Sequence, residues 1–513
     1  MPDATNLRIY SQRVQRVEHA VKLGAKRLGV ASLLQRARRS LPLQRALELG
    51  RSEGWEASAR HLLSPEGRAT LGDSQLAIAL TADLVRDVEV ELLLTEVRKQ
   101  LLLGPRELLA DAVVRAFAVT LIRQCDLNEY VFYVSEAEGR RLAELSSDLA
   151  QALRKGAWDD LMLITMYVPV REIAGHFSAD VQLDAIQPET FGRWVRDELA
   201  NVREEQKIAA SIQQHGEISD EVSRLVASQY EVNPYPRWTE VPATPGPRCD
   251  YVRAFFTPGE CAFLERPFNV LVAGCATGRE AVRCGLGYGP NASVLGIDMT
   301  RASLVYAQRM AKQKGATNVR FLRSDIMNVP TLPDRFDIIE SQGVLHHMAD
   351  PLKGWKALVD VLKPGGLMYI ALYTRLGRHQ VNACRQEIAE RGLSSGRADQ
   401  IREYRRELIL RHGPSRIWLR EEHFPFGRDF FSLSNCRDLL FHVHEHQFTI
   451  PELKDCFAQL GLRFGGFAYP PIPPNSVWPR FPDPKDLDAW WAFEQRNPET
   501  FAHCYEFWCR KDS

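Results

Sequence analysis

A glycine pair, two aspartates and two groups of histidines are the residues here whose types and spacing could do chemistry. The run Ala273-Gly-Cys-Ala-Thr-Gly-Arg-Glu280 ends an apolar stretch and sets Gly274 and Gly278 four apart. Glycines there let the backbone turn sharply and approach a ligand with no Cβ in the way. A helix starting just beyond offers unpaired N–H groups at the same place. Asp298 lies twenty residues after Gly278, at the end of a second apolar stretch. A carboxylate so placed can accept both hydroxyls of a ribose. A nicotinamide enzyme should show G-x-G-x-x-G, whereas this loop reads G-x-x-x-G with Ala276 at its centre. Asp325, after a third stretch, can meet an adenine amino group. His346 and His347 follow a fourth stretch, and His442, His444 and His446 alternate in Phe441–Phe448. The last three share one side if extended. Imidazoles could hold a metal, but no neighbouring ligand cluster supports one, and no metal is expected. They read instead as packed rings or as a substrate-facing set, with His442, Glu445 or His446 acting as a base or binding an amine.

The elements that must position these groups alternate. Phe268–Ala273, Ser293–Ile297, Asn318–Leu322, Phe336–Ile339 and Leu367–Leu372 read as strands. Helices are expected from Arg279, over Arg301–Lys314 up to Gly315, and over Pro351–Leu362 up to Lys363-Pro-Gly-Gly366. Strand and helix alternating at this spacing implies a parallel sheet wrapped by helices. Ligands of such a sheet bind at the C-terminal ends of its strands. A helix over Pro451–Leu460 and strands over Gly461–Phe467 and Ala502–Arg510 close the chain.

Together VLVAGCATGRE, LGID (295–298), SDI (324–326), FDIIESQGVLHHMADP and LKPGG resemble class I S-adenosylmethionine-dependent methyltransferases, over about residues 265–375. The resemblance implies a Rossmann-like α/β sheet and S-adenosyl-L-methionine as cofactor. It implies that Gly274, Cys275, Ala276 and Gly278 wrap the methionine end, and that Asp298, with Met299 beside it, holds the ribose. Asp325 and Ile326 would meet the adenine, and Gln342 and Gly343 the sulfonium side. The family loop usually carries another glycine where Ala276 stands. His346 and His347, nearest the expected methyl, are the first catalytic candidates. The string Tyr230-Glu-Val-Asn-Pro-Tyr-Pro-Arg-Trp238 is similar to one in bacterial methyltransferases with large helical N-terminal regions. It makes Tyr230, Asn233, Tyr235 and Trp238 a candidate lid, with Tyr373 and Arg375 on the substrate side.

The remaining 400 or so residues must determine the target. Residues 1–60 read as a basic helical arm, with ten Lys/Arg against three acids in the first 50; an organelle presequence is the alternative. Residues 61–215 read as a helical domain, 216–260 as a proline-rich linker and cofactor lid, and 261–375 as the core. Residues 376–447 read as a helical insertion capping the substrate, with ten Arg and five acids between Leu376 and Arg420. Residues 448–513 read as a helix and an antiparallel hairpin completing the sheet; the Tyr469–Pro484 stretch, with Trp478 and Phe481, lines the cleft or covers the sheet. The 65 Lys+Arg cancel the 65 Asp+Glu, which disfavours a nucleic-acid substrate. Ten cysteines without a CxxC pair point to reduced thiols in a cytoplasm, and no apolar stretch has the ~20 residues of a membrane span. The expected acceptor is a protein side chain, with a small molecule next; a cofactor-binding scaffold with little turnover is the reading from another class. Composition says nothing about oligomeric state.

Overall fold

The structure, a computed structural model, describes residues 34, 37–38, 40–218, 220–241, 248–412, 427–469, 483, 485–498, 500–501 and 504–512. Most of the first 36 residues of the basic arm lie outside these, as do Pro242, Pro245, Pro247, Trp478 and Phe481. The chain forms two compact units: Met1–Arg203 with Arg397–Arg437, and Glu204–Gly396 with Asp438–Ser513.

The first unit is helical. Leu93, Leu94, Val97 and Leu101 put one buried face on the helix Val88–Leu103, which meets Val114, Phe117, Leu121 and Ile122 of Ala112–Leu127 in one core. Asp87 and Asp111 cap these helices by accepting from the N–H groups two and three residues on, which satisfies donors the helix leaves open. The helix Ala398–His412 also belongs here, because the Arg405 guanidinium forms a buried pair with Glu91. The segment read from sequence as one insertion over 376–447 therefore divides between the units, at 396/397 and 437/438. Arg405 with Glu91, Arg402 with Tyr130 O and Ser434 with Glu129 tie residues 397–437 to this unit, pairings that composition does not reveal.

The second unit holds a seven-stranded sheet of β1 (Phe268–Ala273), β2 (Ala292–Asp298), β3 (Val319–Arg323), β4 (Phe336–Gln342), β5 (Leu362–Tyr373), β6 (Leu462–Tyr469) and β7 (Cys504–Lys511). Their order is β3-β2-β1-β4-β5-β7-β6, with only β7 antiparallel to its neighbours. β1, β4 and β5 are apolar runs because helices cover both faces of a parallel sheet. Strand β5 begins at Leu362, not Leu367. Its pairing with β4 jumps from Phe336↔Leu362 to Ile338↔Leu367, so the Lys363-Pro-Gly-Gly366 turn is carried as a bulge with Gly365 at φ 73°. Gly315, in the left-handed region at φ 72°, ends the helix Arg301–Lys314 as expected. Among the described residues no helix is long and apolar enough to cross a membrane.

Candidate functional site

Strand β1 delivers Gly274 at φ 69° and Gly278 at φ 82° to a loop that only glycine follows without strain. A Cβ on Gly274 would stand 2.4 Å from Val344, so the glycine lets this loop pack against the one after β4. Ala276 sits between them at φ 48°. Its N–H donates to Asp298 Oδ2 at 2.9 Å, while Asp298 Oδ1 accepts from Thr300 N at 2.9 Å and Thr300 Oγ1 at 2.7 Å. A carboxylate has about four acceptor positions, so one on Oδ2 remains open. Asp298 therefore ties the glycine loop to the end of β2 and keeps room for one ribose hydroxyl, where two were expected. Burial pushes its carboxyl up against these donors. The left-handed alanine costs about 1–2 kcal/mol. Ala276→Gly is accordingly expected to raise stability by about 0.5–1 kcal/mol, after the glycine's greater unfolded-state entropy is subtracted. A denaturant midpoint that falls would show that the methyl makes contacts worth more than the strain.

Asp325 is buried after β3 and caps the short helix Ile326–Thr331 by accepting from Met327 N at 2.9 Å. Burial raises its carboxyl too, against that N–H and the Ser223 side chain. Ile326 is buried behind it, and Met299, half-buried, gives its carbonyl to Arg323 Nε at 2.8 Å. Gln342 Nε2 reaches Glu340 at 3.3 Å, and Gly343, at φ 71°, has open space where a Cβ would stand. Cys275 is buried, its thiol pushed up by burial. These residues fit a nucleoside donor bearing a sulfonium: a Cβ-free approach at Gly343, an open acceptor position on Asp298 and a carboxylate after β3.

The segment after the helix Glu221–Val232 covers the loop. Trp238 Nε1 donates to Thr277 O at 2.9 Å, Thr277 Oγ1 donates to Pro236 O, and Tyr306 donates to Trp238 O. Glu231 caps the helix Arg301–Lys314, accepting from Arg301 N at 2.8 Å and Ala302 N at 3.3 Å. Asn233, at the end of its own helix, donates to Gln229 O at 3.4 Å.

Beyond this cover stands a column of rings. Tyr235 stacks on Tyr230 at 6.1 Å between centroids, Tyr230 meets His442 at 5.8 Å, and His442 stacks on His347 at 3.6 Å. His347 meets His346 edge-on at 4.3 Å, and His346 stacks on Tyr373 at 3.7 Å. The Arg378 guanidinium lies 3.6 Å over Tyr373. His346 and His347 leave β4, and Tyr373 ends β5, so the column stands at the C-terminal mouth of the sheet. Asp438, which the sequence reading missed, receives the hydroxyls of Tyr230 and Tyr373. Its signal was present: Asp438 precedes His442 by four residues, the spacing of one helix face.

The histidine hydrogen bonds fix their tautomers. His347 Nδ1 donates to His444 O at 2.7 Å, because a carbonyl can only accept, so Nε2 carries a lone pair. His442 Nδ1 accepts from His444 N at 3.1 Å, and His346 Nδ1 accepts from Tyr373 N at 3.2 Å, so each keeps its proton on Nε2. Burial, reinforced by Arg378 and the neighbouring rings, holds His346 and His347 well below the ordinary range; burial and Arg385 bring His442 down to about 3.

A ring nitrogen of His347, one of His442 and a carboxylate oxygen of Asp438 lie within 4.8 Å of one another. That set does not make a good metal centre. Stacked rings 21° from parallel send their in-plane lone pairs side by side, and His442 Nε2 is already protonated. The other expected residues have different work. Glu445 is a buried partner of Arg378, accepting at 3.0 and 2.8 Å, and of Gln447 at 2.8 Å, which removes it from acid–base candidacy. His446 turns to His444, ring nitrogen to ring nitrogen at 3.0 Å, so 442, 444 and 446 do not form one row. Arg375 is exposed and pairs with Glu452 at 2.7 Å, away from the column.

Residues 265–404 match the family model described as a methyltransferase domain. An uncharacterized protein of Synechococcus sp. is 30% identical over 266 residues, 48% of this chain and 61% of its own length. A ubiquinone biosynthesis O-methyltransferase of Cereibacter sphaeroides is 32% identical over 84 residues, 16% of this chain and 34% of its own. The chain thus spans less than two thirds of the length of the curated relatives it matches. The solved structure of PKMT2 from Rickettsia typhi aligns with a TM-score of 0.38 and 15% identity over 54% of each chain.

Proposed function

We propose that this chain, an S-adenosylmethionine-dependent methyltransferase by the match of its residues 265–404 to a methyltransferase domain, transfers a methyl group by direct SN2 displacement to a protein side chain. The bound donor supplies an activated methyl on a sulfonium. The chain's residues must align the nucleophile and take its proton. The observation that carries this reading is the lone pair on His347 Nε2 at the mouth of β4, in the short helix that follows that strand. A proton reaching that nitrogen makes an imidazolium, and the Asp438 carboxylate within 4.8 Å is placed to offset its charge. His346 and His442, with Nε2–H groups buried and without hydrogen-bond partners, can donate to an acceptor's oxygen. Trp238 and Glu231 act as the cover, fastening the 230–238 segment over the donor crevice. Expectation of a protein acceptor rests on the size of the helical unit.

One observation favours a small molecule instead: His347 is only 6% exposed, and a short acceptor fits beneath the cover more readily than a folded surface. Incubation with methyl-labelled donor and a host lysate separates the two. Labelled protein bands support the leading reading and a labelled low-mass fraction the second. No label above an Asp298→Ala background would favour a binding scaffold. All ten cysteines are free thiols, which supports placing the protein in a reducing cytoplasm.

A further inference from the structure

The helical unit contains a cleft of about 280 Å³ that the methyl-transfer chemistry does not use. Its walls come from the helices Val88–Leu103 and Ala398–His412, with Trp55 and Tyr133 completing an aromatic and aliphatic lining. Charge around it is uneven. Lys99 pairs with Glu96 at 3.2 Å, Arg405 with Glu91, and Arg406 with Glu403 at 3.6 Å while lying 4.2 Å over the Tyr133 ring. Arg402 has no carboxylate within 4.0 Å among the described residues; its one hydrogen bond runs from Nε to Tyr130 O at 2.7 Å. Behind the wall, Arg98 is fully buried, and its Nε and Nη1 have no hydrogen-bond partner. The carboxylate nearest Arg98, on Glu138, stands 3.7 Å away and already accepts from Ser135 N, Ser135 Oγ and Tyr167. Among these cleft cations Arg402 is thus the one without an ion-paired carboxylate among the described residues, Glu172 and Asp399 acting on it only from beyond 4.0 Å. Burial and then the Arg98 cation bring the Arg402 pKa down to about 10, against the pull of Glu172 and Asp399.

We propose that this cleft binds a small organic anion, a carboxylate or a phosphate monoester on an apolar or aromatic body, with Arg402 meeting the anionic group. The body packs against Trp55, Tyr133 and Leu410, the last 58% exposed at the mouth. The volume is near the lower end of small-molecule sites, which limits the ligand to about one ring. The site is independent of the donor crevice, so its occupancy does not rest on the proposed methyl transfer.

Isothermal titration of the full chain at constant ionic strength tests it, with benzoate, phenyl phosphate and neutral benzamide as probes. Binding of benzoate or phenyl phosphate, with none of benzamide, is expected, and whichever anion binds more tightly identifies the headgroup. Arg402→Gln is expected to weaken that binding about tenfold or more, the worth of one charge-assisted hydrogen bond, and to leave S-adenosylmethionine binding unchanged. Should Arg402→Gln fail to fold, Leu410→Trp, which fills the mouth and keeps every charge, is expected to abolish anion binding. Equal binding of benzamide and benzoate, no binding of either anion, or anion binding unaffected by both variants would overturn the proposal.

Discussion

Asp298→Ala is expected to lower the affinity of the intact chain for S-adenosylmethionine by at least about 100-fold, with the fold retained by circular dichroism. The size follows from what the carboxylate holds. Its open Oδ2 position is worth about 1.5–3 kcal/mol as a charged acceptor, roughly ten- to a hundredfold alone. Its other positions bind Ala276 N, Thr300 N and Thr300 Oγ1. Losing them frees the glycine loop from β2, so the strained φ 48° at Ala276 has nothing to hold it. The loop then samples other shapes and the binding-competent one becomes a minority. Asp298→Asn should fall between, since its carbonyl can still serve Thr300 while its amide faces the Ala276 N–H donor to donor. Calorimetric titration gives all three affinities. Undiminished binding by Asp298→Ala would sink the assignment of the donor crevice.

His347→Ala should reduce turnover by about 10²–10³, within the usual contribution of a positioned base, while leaving donor affinity within about twofold. The acceptor fraction found by methyl labelling serves as substrate. The pH profile gives a second readout. Burial first, then His442 and His346, push the His347 pKa below its ordinary 6.5. The imidazole therefore stays neutral, and able to take a proton, as pH falls through 6.5. Turnover should show no acid limb near 6.5, and any limb due to this ring should lie lower. A limb centred at 6.5 would mean that the ring is solvated and not in the column. A kcat unchanged in His347→Ala would leave it a packing residue.

How far the site could be read beforehand depended on which residues act through local pattern. Gly274, Gly278, Asp298 and Asp325 were legible because each sits where an apolar strand stops, and strand ends are set by short-range sequence. Strand β1 and the helix Arg301–Lys314 were legible to the residue for the same reason. The divided role of Asp298 was not, because it depends on Thr300 Oγ1 turning back two residues and on an alanine held left-handed. The histidine roles were out of reach. His347 Nδ1 finds a carbonyl 97 positions away at His444, and Glu445 finds Arg378 67 positions back. Such pairings follow from tertiary closure, and no spacing in the chain encodes them. Asp438 lay between the two cases, visible only as the i–4 neighbour of a histidine.

The passage of the chain between its units at 203/204, 396/397 and 437/438 bears on its heredity as well as its folding. An end-to-end fusion of two ancestral genes would need one junction. Three junctions mean that the helical unit cannot be exchanged as a cassette, since 41 of its residues are written inside the gene segment for the other unit. A fragment beginning at residue 204 would carry Arg405 without Glu91, leaving residues 397–437 without the rest of the unit that buries them. Recombination at the proline-rich boundary, the most conspicuous break in the sequence, would therefore separate residues 397–437 from the rest of their unit.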